Sequence, residues 1–381
     1  MRRSLVSIYA VATFATASPI FVSRASAHSF TREATAGAGA ISTLGIAQMA
    51  NNRLVTAVCN GGNNLEVIVW QYNSGSNTLS REGSAVAPYA LPNPAFTNNS
   101  NPVYVAATGP GKFVTAVIDS ELRTHLTSWG LSSTGVVSEL SEAYSNIGTP
   151  LFISITALSA NQLAVWEYDL QPDATLRSMF SSVRLNTSGE LTVFESWQQE
   201  PPSSTQIPFG TISKVNSGQV VAGTWYYGTD LQLSSYAISS AGYITPQLTA
   251  GTGAVENASL ASFGPGSLIT AVVNGGGQTE PILWTVDPTT GAFTRGESAS
   301  ISVTSNGYIA AGALDGTPVT GDGAFLRLDA WGAGTGSLAD LATATAGSIT
   351  APYLAEVSAG LIADAFQNSA GDLEIILYRY Q

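Results

Sequence analysis

Apolar residues in this chain fall in short runs of roughly four to eight, many alternating with polar residues, and turn residues separate the runs. Leu54–Val58 is followed by Asn60-Gly-Gly-Asn-Asn64 and then by Leu65–Trp70. The same order returns as Ser267–Val273, a Gly-rich turn, Glu280–Trp284 and a turn through Gly291. Phe113–Val117 and Leu126–Trp129 form a third copy, with a turn at Gly135. No helical period is sustained past residue 27. A period of two between Gly, Asn and Ser turns predicts short strands throughout.

The copies define a repeat. Its register is an aromatic on one strand: Trp70, Trp129, Tyr236, Trp284, Trp331 and Tyr378, with Val183 filling the remaining slot. The spacings are 59, 54, 53, 48, 47 and 47 residues, which makes seven units. Each unit divides into four strands; in unit two these are Val103–Thr108, Phe113–Asp119, Arg123–Leu131 and Val136–Tyr144. The first strand of each unit is small and apolar, as in Leu260–Phe263 and Tyr308–Ala313, which suits a crowded axis. Four-stranded antiparallel sheets at this period predict an all-β, seven-bladed β-propeller over residues 28–381. An open sandwich or two stacked β domains is the alternative, but no change of composition marks a boundary.

The last unit holds three strands, Tyr353–Val357, Leu361–Phe366 and Leu373–Tyr380. Phe30–Ala36 is the expected fourth. It resembles Leu79–Ala85 and Phe293–Ala299, each of which begins nine residues after a register Trp. Pairing it with Leu373–Tyr380 would cover an open edge and close the ring through the two ends of the chain.

Charged residues make up only 10% of the chain, and Gly, Ser and Thr are abundant. Residues 1–27 read as a secretion signal: Arg2 and Arg3, an apolar stretch from Leu5 to Val22, then Ala25-Ser-Ala27 as a cleavage site. Two adjacent arginines leave the general and the twin-arginine routes both open. Cleavage would remove three arginines and no acid, leaving 11 basic against 26 acidic residues. Such a surface disfavours nucleic acid and anionic membrane. The mature chain has no transmembrane pattern, and the expectation is a monomeric protein in the periplasm or outside the cell. Cys59, the single cysteine, sits in an apolar strand and reads as a buried thiol.

The Thr-Ala-Val, Trp and Thr-Arg fragments at this spacing resemble those of secreted bacterial β-propeller repeat proteins. The resemblance implies the fold. The Gly-His and Trp-Asp marks of intracellular propellers are missing, as are Ca²⁺-binding Asp-x-Asp-x-Asp-Gly loops, so it transfers no catalytic residue and no cofactor.

Candidate chemistry is sparse. His28 would begin the mature chain, either as a mobile tail or as a Cu(II) chelate with its own amine. His125 lies within a strand, and no G-x-S-x-G accompanies it. Asp119, Glu121, Glu167, Asp169, Asp173, Asp230 and Glu280 fall on or near the turn between second and third strands. They form either a solvated acidic rim or a carboxylate site for a metal or a glycosidic bond. The register aromatics read as packing between blades. Tyr89, Phe96, Trp197 and the run Trp225-Tyr226-Tyr227 break that register. The connections 85–101 and 195–208 carry Tyr89, Phe96 and Trp197. With Tyr226 and Tyr227 they are expected to gather over one sector, beside Asp169 and Asp230, as a stacking site for a sugar or a cap on the blades. The expected role is non-catalytic binding of a glycan or an extracellular protein, without metal or cofactor. A carboxylate-dependent glycan hydrolase or lyase and a structural cell-surface module are the alternatives.

Overall fold

Alternating side chains bury one or both faces of an extended strand, and every regular element of the described chain is a strand. The computed structural model describes residues 28–91, 103–145, 148–171, 175–199, 209–225, 228–304, 309–314, 316–322, 327–333, 338–345 and 352–381. The expected secretion signal lies outside these residues. No described helix is long and apolar enough to cross a membrane.

Three sequence units are separate four-stranded antiparallel sheets with strands in chain order. Unit 2 comprises Tyr104–Gly109, Lys112–Ile118, Thr124–Leu131 and Val137–Ser145. Unit 3 comprises Thr149–Ser159, Gln162–Leu170, Leu176–Leu185 and Leu191–Gln199. Unit 6 comprises Ile309–Leu314, Thr317–Asp322, Arg327–Ala333 and Leu338–Thr345.

Two long strands join the others in pairs. Ile244–Gly264 begins as the last strand of unit 4, beside Thr229–Ile238, and continues as the first strand of unit 5, beside Ser267–Asn274. Phe30–Met49 does the same across the ends of the chain. Phe30 to Ala40 pairs with Asp372–Tyr380, in register Phe30↔Tyr380 to Ala40↔Asp372. Ile41 to Met49 then pairs with Arg53–Asn60 of unit 1. The terminal pairing therefore runs past Ala36, and the strand turns into the next sheet without a break.

The first strands touch in succession. Phe30–Met49 meets Tyr104–Gly109, which meets Thr149–Ser159, and contacts continue through Phe209–Asn216, Ile244–Gly264, Ile309–Leu314 and Tyr353–Ser358, which touches Phe30–Met49 again. Small residues permit this approach: a Cβ at Gly45 would collide with the Val103 carbonyl. Apolar side chains fill the space between neighbouring sheets, as with Val117 and Trp129 against Val55 and Val67. Trp70, Trp129, Val183, Tyr236, Trp284, Trp331 and Tyr378 are all buried on third strands, as the repeat register requires. The result is a propeller-like array of antiparallel sheets.

Candidate functional site

The turn between second and third strands follows one rule in four units. Asn60, Asp119, Asn274 and Asn368 each stand eighth, counting from Arg53, Lys112, Ser267 and Leu361 at the start of their strands. Each Oδ1 accepts the amide N–H groups two and four residues on: Gly62 and Asn64, Glu121 and Arg123, Gly276 and Gln278, Ala370 and Asp372. A short acceptor side chain that closes its own turn is the usual use of Asx residues there.

Unit 3 departs from that rule. Counting from Gln162, the eighth residue is Asp169, but the strand runs on and the turn closes two residues later, where the Gln171 N–H donates to the Thr175 carbonyl at 2.8 Å. Asp169 is thereby released from capping. Its side chain stays on the face that Leu163 and Val165 present to unit 2, and so do Glu167 and Gln171. The apolar stripe thus becomes polar at the turn end while remaining buried. Asp169 is 1% exposed, and its Oδ1 has no hydrogen-bond partner among the described residues. Gln171 is 9% exposed, and its Nε2 is likewise unpartnered. Burial pushes the Asp169 carboxyl up to about 7. Gly148 is pressed against both: a Cβ there would lie 2.6 Å from Gln171 Nε2 and 3.0 Å from Asp169 Cβ. From unit 2, Thr124 continues the face of Leu126, and its buried Oγ1 also lacks a partner.

The same end of unit 2 carries a network of charged and aromatic side chains. Asp119 accepts from Arg123 Nε at 3.1 Å and Nη2 at 2.9 Å, and the guanidinium lies 4.6 Å above the Tyr144 ring. His125 packs on Tyr144 at 4.3 Å and has Nε2 3.4 Å from Glu142 Oε1; burial lowers its pKa. His125 is thus a packed residue. His28 stacks on Tyr380 with centroids 5.2 Å apart, so it is not the free tail expected.

Asp119, Glu167 and Asp169 are buried, so these three are not part of a solvated rim. Glu121 and Asp230 are exposed, and Glu280 pairs with Arg295 at 3.2 Å. No group of three or more metal-ligating side chains occurs among the described residues.

The expected aromatic cluster is only partly within view. Phe96, Tyr226, Tyr227 and Asp173 lie outside the described residues. Tyr89 and Trp197 belong to strands, Thr78–Ala90 and Leu191–Gln199, because both outer strands extend further than the turn residues suggest. Trp197 stands opposite Phe180 in register. Trp225 is a core residue, stacked on Phe209 at 6.1 Å. Of the expected site, Asp169 is buried on the face that unit 3 turns toward unit 2, and Asp230 lies exposed near the corresponding turn of unit 4. Gln171, Thr124 and Gly148 were not among the expected residues; the two extra residues of Gln162–Gln171 were the signal that could have found them.

No protein-family model matches the chain, and no curated protein matches it. Among solved structures it is similar to Saccharomyces cerevisiae Sqt1, a WD40 β-propeller protein. The TM-score is 0.53 at 10% identity, over 93% of this chain and 99% of that one. At this identity the likeness speaks for a β-propeller-like fold and nothing more. The expected kinship with secreted bacterial repeat proteins has no match behind it.

Proposed function

We propose that this chain is an extracellular, non-catalytic binding protein that engages a glycan or protein partner at the second-to-third-strand turns of units 2 to 4. In this reading residues 1–27 are a cleaved secretion signal, and the mature chain is a monomeric seven-bladed propeller closed by its N-terminal strand. The cyclic succession of first-strand contacts and the Phe30–Tyr380 pairing support the ring. A rigid ring presenting turns on one face is a scaffold for recognition.

The observation that carries the binding reading is the group of unpartnered buried polar atoms around Asp169. Buried polar atoms are nearly always hydrogen-bonded in folded proteins, so Asp169 Oδ1, Gln171 Nε2 and Thr124 Oγ1 are acceptor and donor positions for a hydroxyl- or amide-bearing partner. A glycan array and extracellular protein panels identify the ligand. Asp169→Ala that keeps its fold should then bind at least about tenfold more weakly. Equal binding by the folded variant rejects the site.

One observation favours a second reading, a carboxylate-dependent glycan hydrolase or lyase. A carboxyl with a pKa of about 7 suits a general acid, and Glu167 lies two residues away on the same face. Release of reducing ends from a polysaccharide panel, abolished in Asp169→Asn, would select it. Silence in both screens favours the structural module.

A further inference from the structure

A recess lies at the opposite end of units 3 and 4, among the turns that join first to second and third to fourth strands. It is a cavity of about 510 Å³ whose polar lining is Ser159, Asn161, Gln162, Arg184, Ser217 and Ser240. That volume falls within the range of small-molecule sites. Hydroxyls and carboxamides supply both donors and acceptors, which is the lining that a polyhydroxylated ligand requires. Gln162 Nε2 donates to the Ser239 carbonyl at 3.0 Å and so ties the wall of unit 3 to that of unit 4.

Charge singles out this end of the molecule. Arg32, Arg53, Arg81, Arg123, Arg295, Arg327 and Arg379 each pair with a carboxylate. Lys112, Arg184 and Lys214 donate instead to backbone carbonyls: Lys112 to Thr187, Arg184 Nη2 to Ser240 at 2.8 Å, Lys214 to Leu158 at 2.7 Å. A carbonyl accepts the hydrogen bond but leaves the charge uncompensated. All three cations sit at the same end of units 2 to 4. Glu190 is the only carboxylate among the described residues of these turns, and Asn186 Nδ2 holds it at 2.8 Å. In a chain of net charge −12, this is a local positive field around a polar cavity.

The rim adds aromatic surface. The Arg184 guanidinium lies 4.4 Å from the centroid of Phe194, which meets Tyr243 edge-on at 5.6 Å. Both rings are exposed. Gly242, at φ +93°, lets Phe194 approach: a Cβ there would lie 2.6 Å from its ring. Arg184 is thus held by stacking and by one hydrogen bond, and it lines the cavity.

We propose that this cavity binds a saccharide bearing a carboxylate, a uronic acid, whose carboxylate meets Arg184 and whose hydroxyls meet the serine and carboxamide lining. Planar fork-to-carboxylate recognition is the strongest use of an arginine. The site is separate from Asp169 and does not rest on the reading given for it.

Titration calorimetry with glucuronate, glucose and inorganic sulfate as probes, at low ionic strength, tests the proposal. The expected result is binding of glucuronate, weakened by added salt, with glucose and sulfate each at least about tenfold weaker. Arg184→Gln should lose about tenfold or more, while Arg295→Gln, at a carboxylate-paired arginine, should match the parent. Ser217→Phe places bulk in the cavity from an exposed turn position and should block glucuronate with the thermal transition unchanged. That variant carries the test if Arg184→Gln fails to fold. No glucuronate binding by the parent, equal binding by folded Arg184→Gln or Ser217→Phe, or sulfate or glucose binding as tightly as glucuronate overturns the proposal.

Discussion

The indole Nε1 of Trp70 donates to the hydroxyl of Thr56 at 2.9 Å, from the third strand to the second strand of one sheet. The bond recurs as Trp129 to Thr115 at 2.9 Å, Trp284 to Thr270 at 3.0 Å and Trp331 to Thr320 at 3.0 Å. In units 1, 2 and 5 the threonine is that of a Thr-Ala-Val fragment, so those fragments and the register tryptophans are two halves of one buried pair. Unit 3 inverts it: Trp166 is on the second strand and donates to Ser178 on the third at 2.8 Å.

Removing the acceptor should cost more than removing its bulk. Thr115→Val keeps the shape and leaves a buried indole N–H unpaired, so the expected loss is about 1–3 kcal/mol, with Thr115→Ser recovering part of it. Urea unfolding of the three proteins checks this. Val no worse than Ser would mean that packing alone explains the pair.

Unit 7 breaks the pattern in a titratable way. Tyr378 takes the tryptophan position and Asp364 the threonine position, and Asp364 is fully buried, with the Tyr353 backbone amide beside its carboxyl and no side-chain partner among the described residues. Burial raises its pKa well above 3.8, and it raises that of Tyr378 as well. A carboxyl protonated in the folded state and ionised in the unfolded one favours unfolding as pH rises. The contribution of Asp364 is thus complete below about pH 4 and declines above it. Asp364→Asn should raise the melting temperature at pH 8 and change it little at pH 4. Asp364→Thr with Tyr378→Trp should restore the repeat pair and stabilise further. Equal shifts at both pH values would remove Asp364 as the source.

Asp169 predicts a second, bounded window. Its folded pKa of about 7 against 3.8 means stability falls between those values and is flat above, by at most about 4 kcal/mol. Asp169→Asn should flatten that decline in urea titrations from pH 4 to 8. An unchanged slope would show that the carboxyl reaches solvent.

The chain ends also carry a side-chain clasp. Arg379 Nε donates to Glu33 Oε1 at 2.8 Å, and Arg379 Nη2 donates to the Tyr72 hydroxyl at 3.2 Å, which joins both ends to unit 1. Deleting residues 28–41 removes Glu33 and bares the edge of Asp372–Tyr380, so aggregation or a large fall in thermal stability is expected. Glu33→Gln should cost no more than about 1 kcal/mol, because the paired strands remain. A deletion variant with an unchanged transition would refute a structural role for the terminal pairing.

Strand positions, the repeat period and the partnership of the two ends were legible in the sequence, because they depend on local alternation and on copies of one pattern. Phe30–Ala36 could be paired with Leu373–Tyr380 from its likeness to Leu79–Ala85 and Phe293–Ala299 and from the missing fourth strand of the last unit. Which polar side chains are buried was not legible, because that depends on the neighbouring sheet. Asp119 and Asp169 both end a strand at a turn. Only the two-residue extension to Gln171, with Gly148 of the connection from unit 2 packed against it, turns Asp169 from a cap into a buried carboxyl. Arg184 likewise reads as an ordinary surface arginine until the fold places it 4.4 Å from Phe194, beside a cavity shared by two units and with no carboxylate partner among the described residues. Solvation and charge pairing are set by groups far apart in the chain, and only tertiary packing brings those groups together.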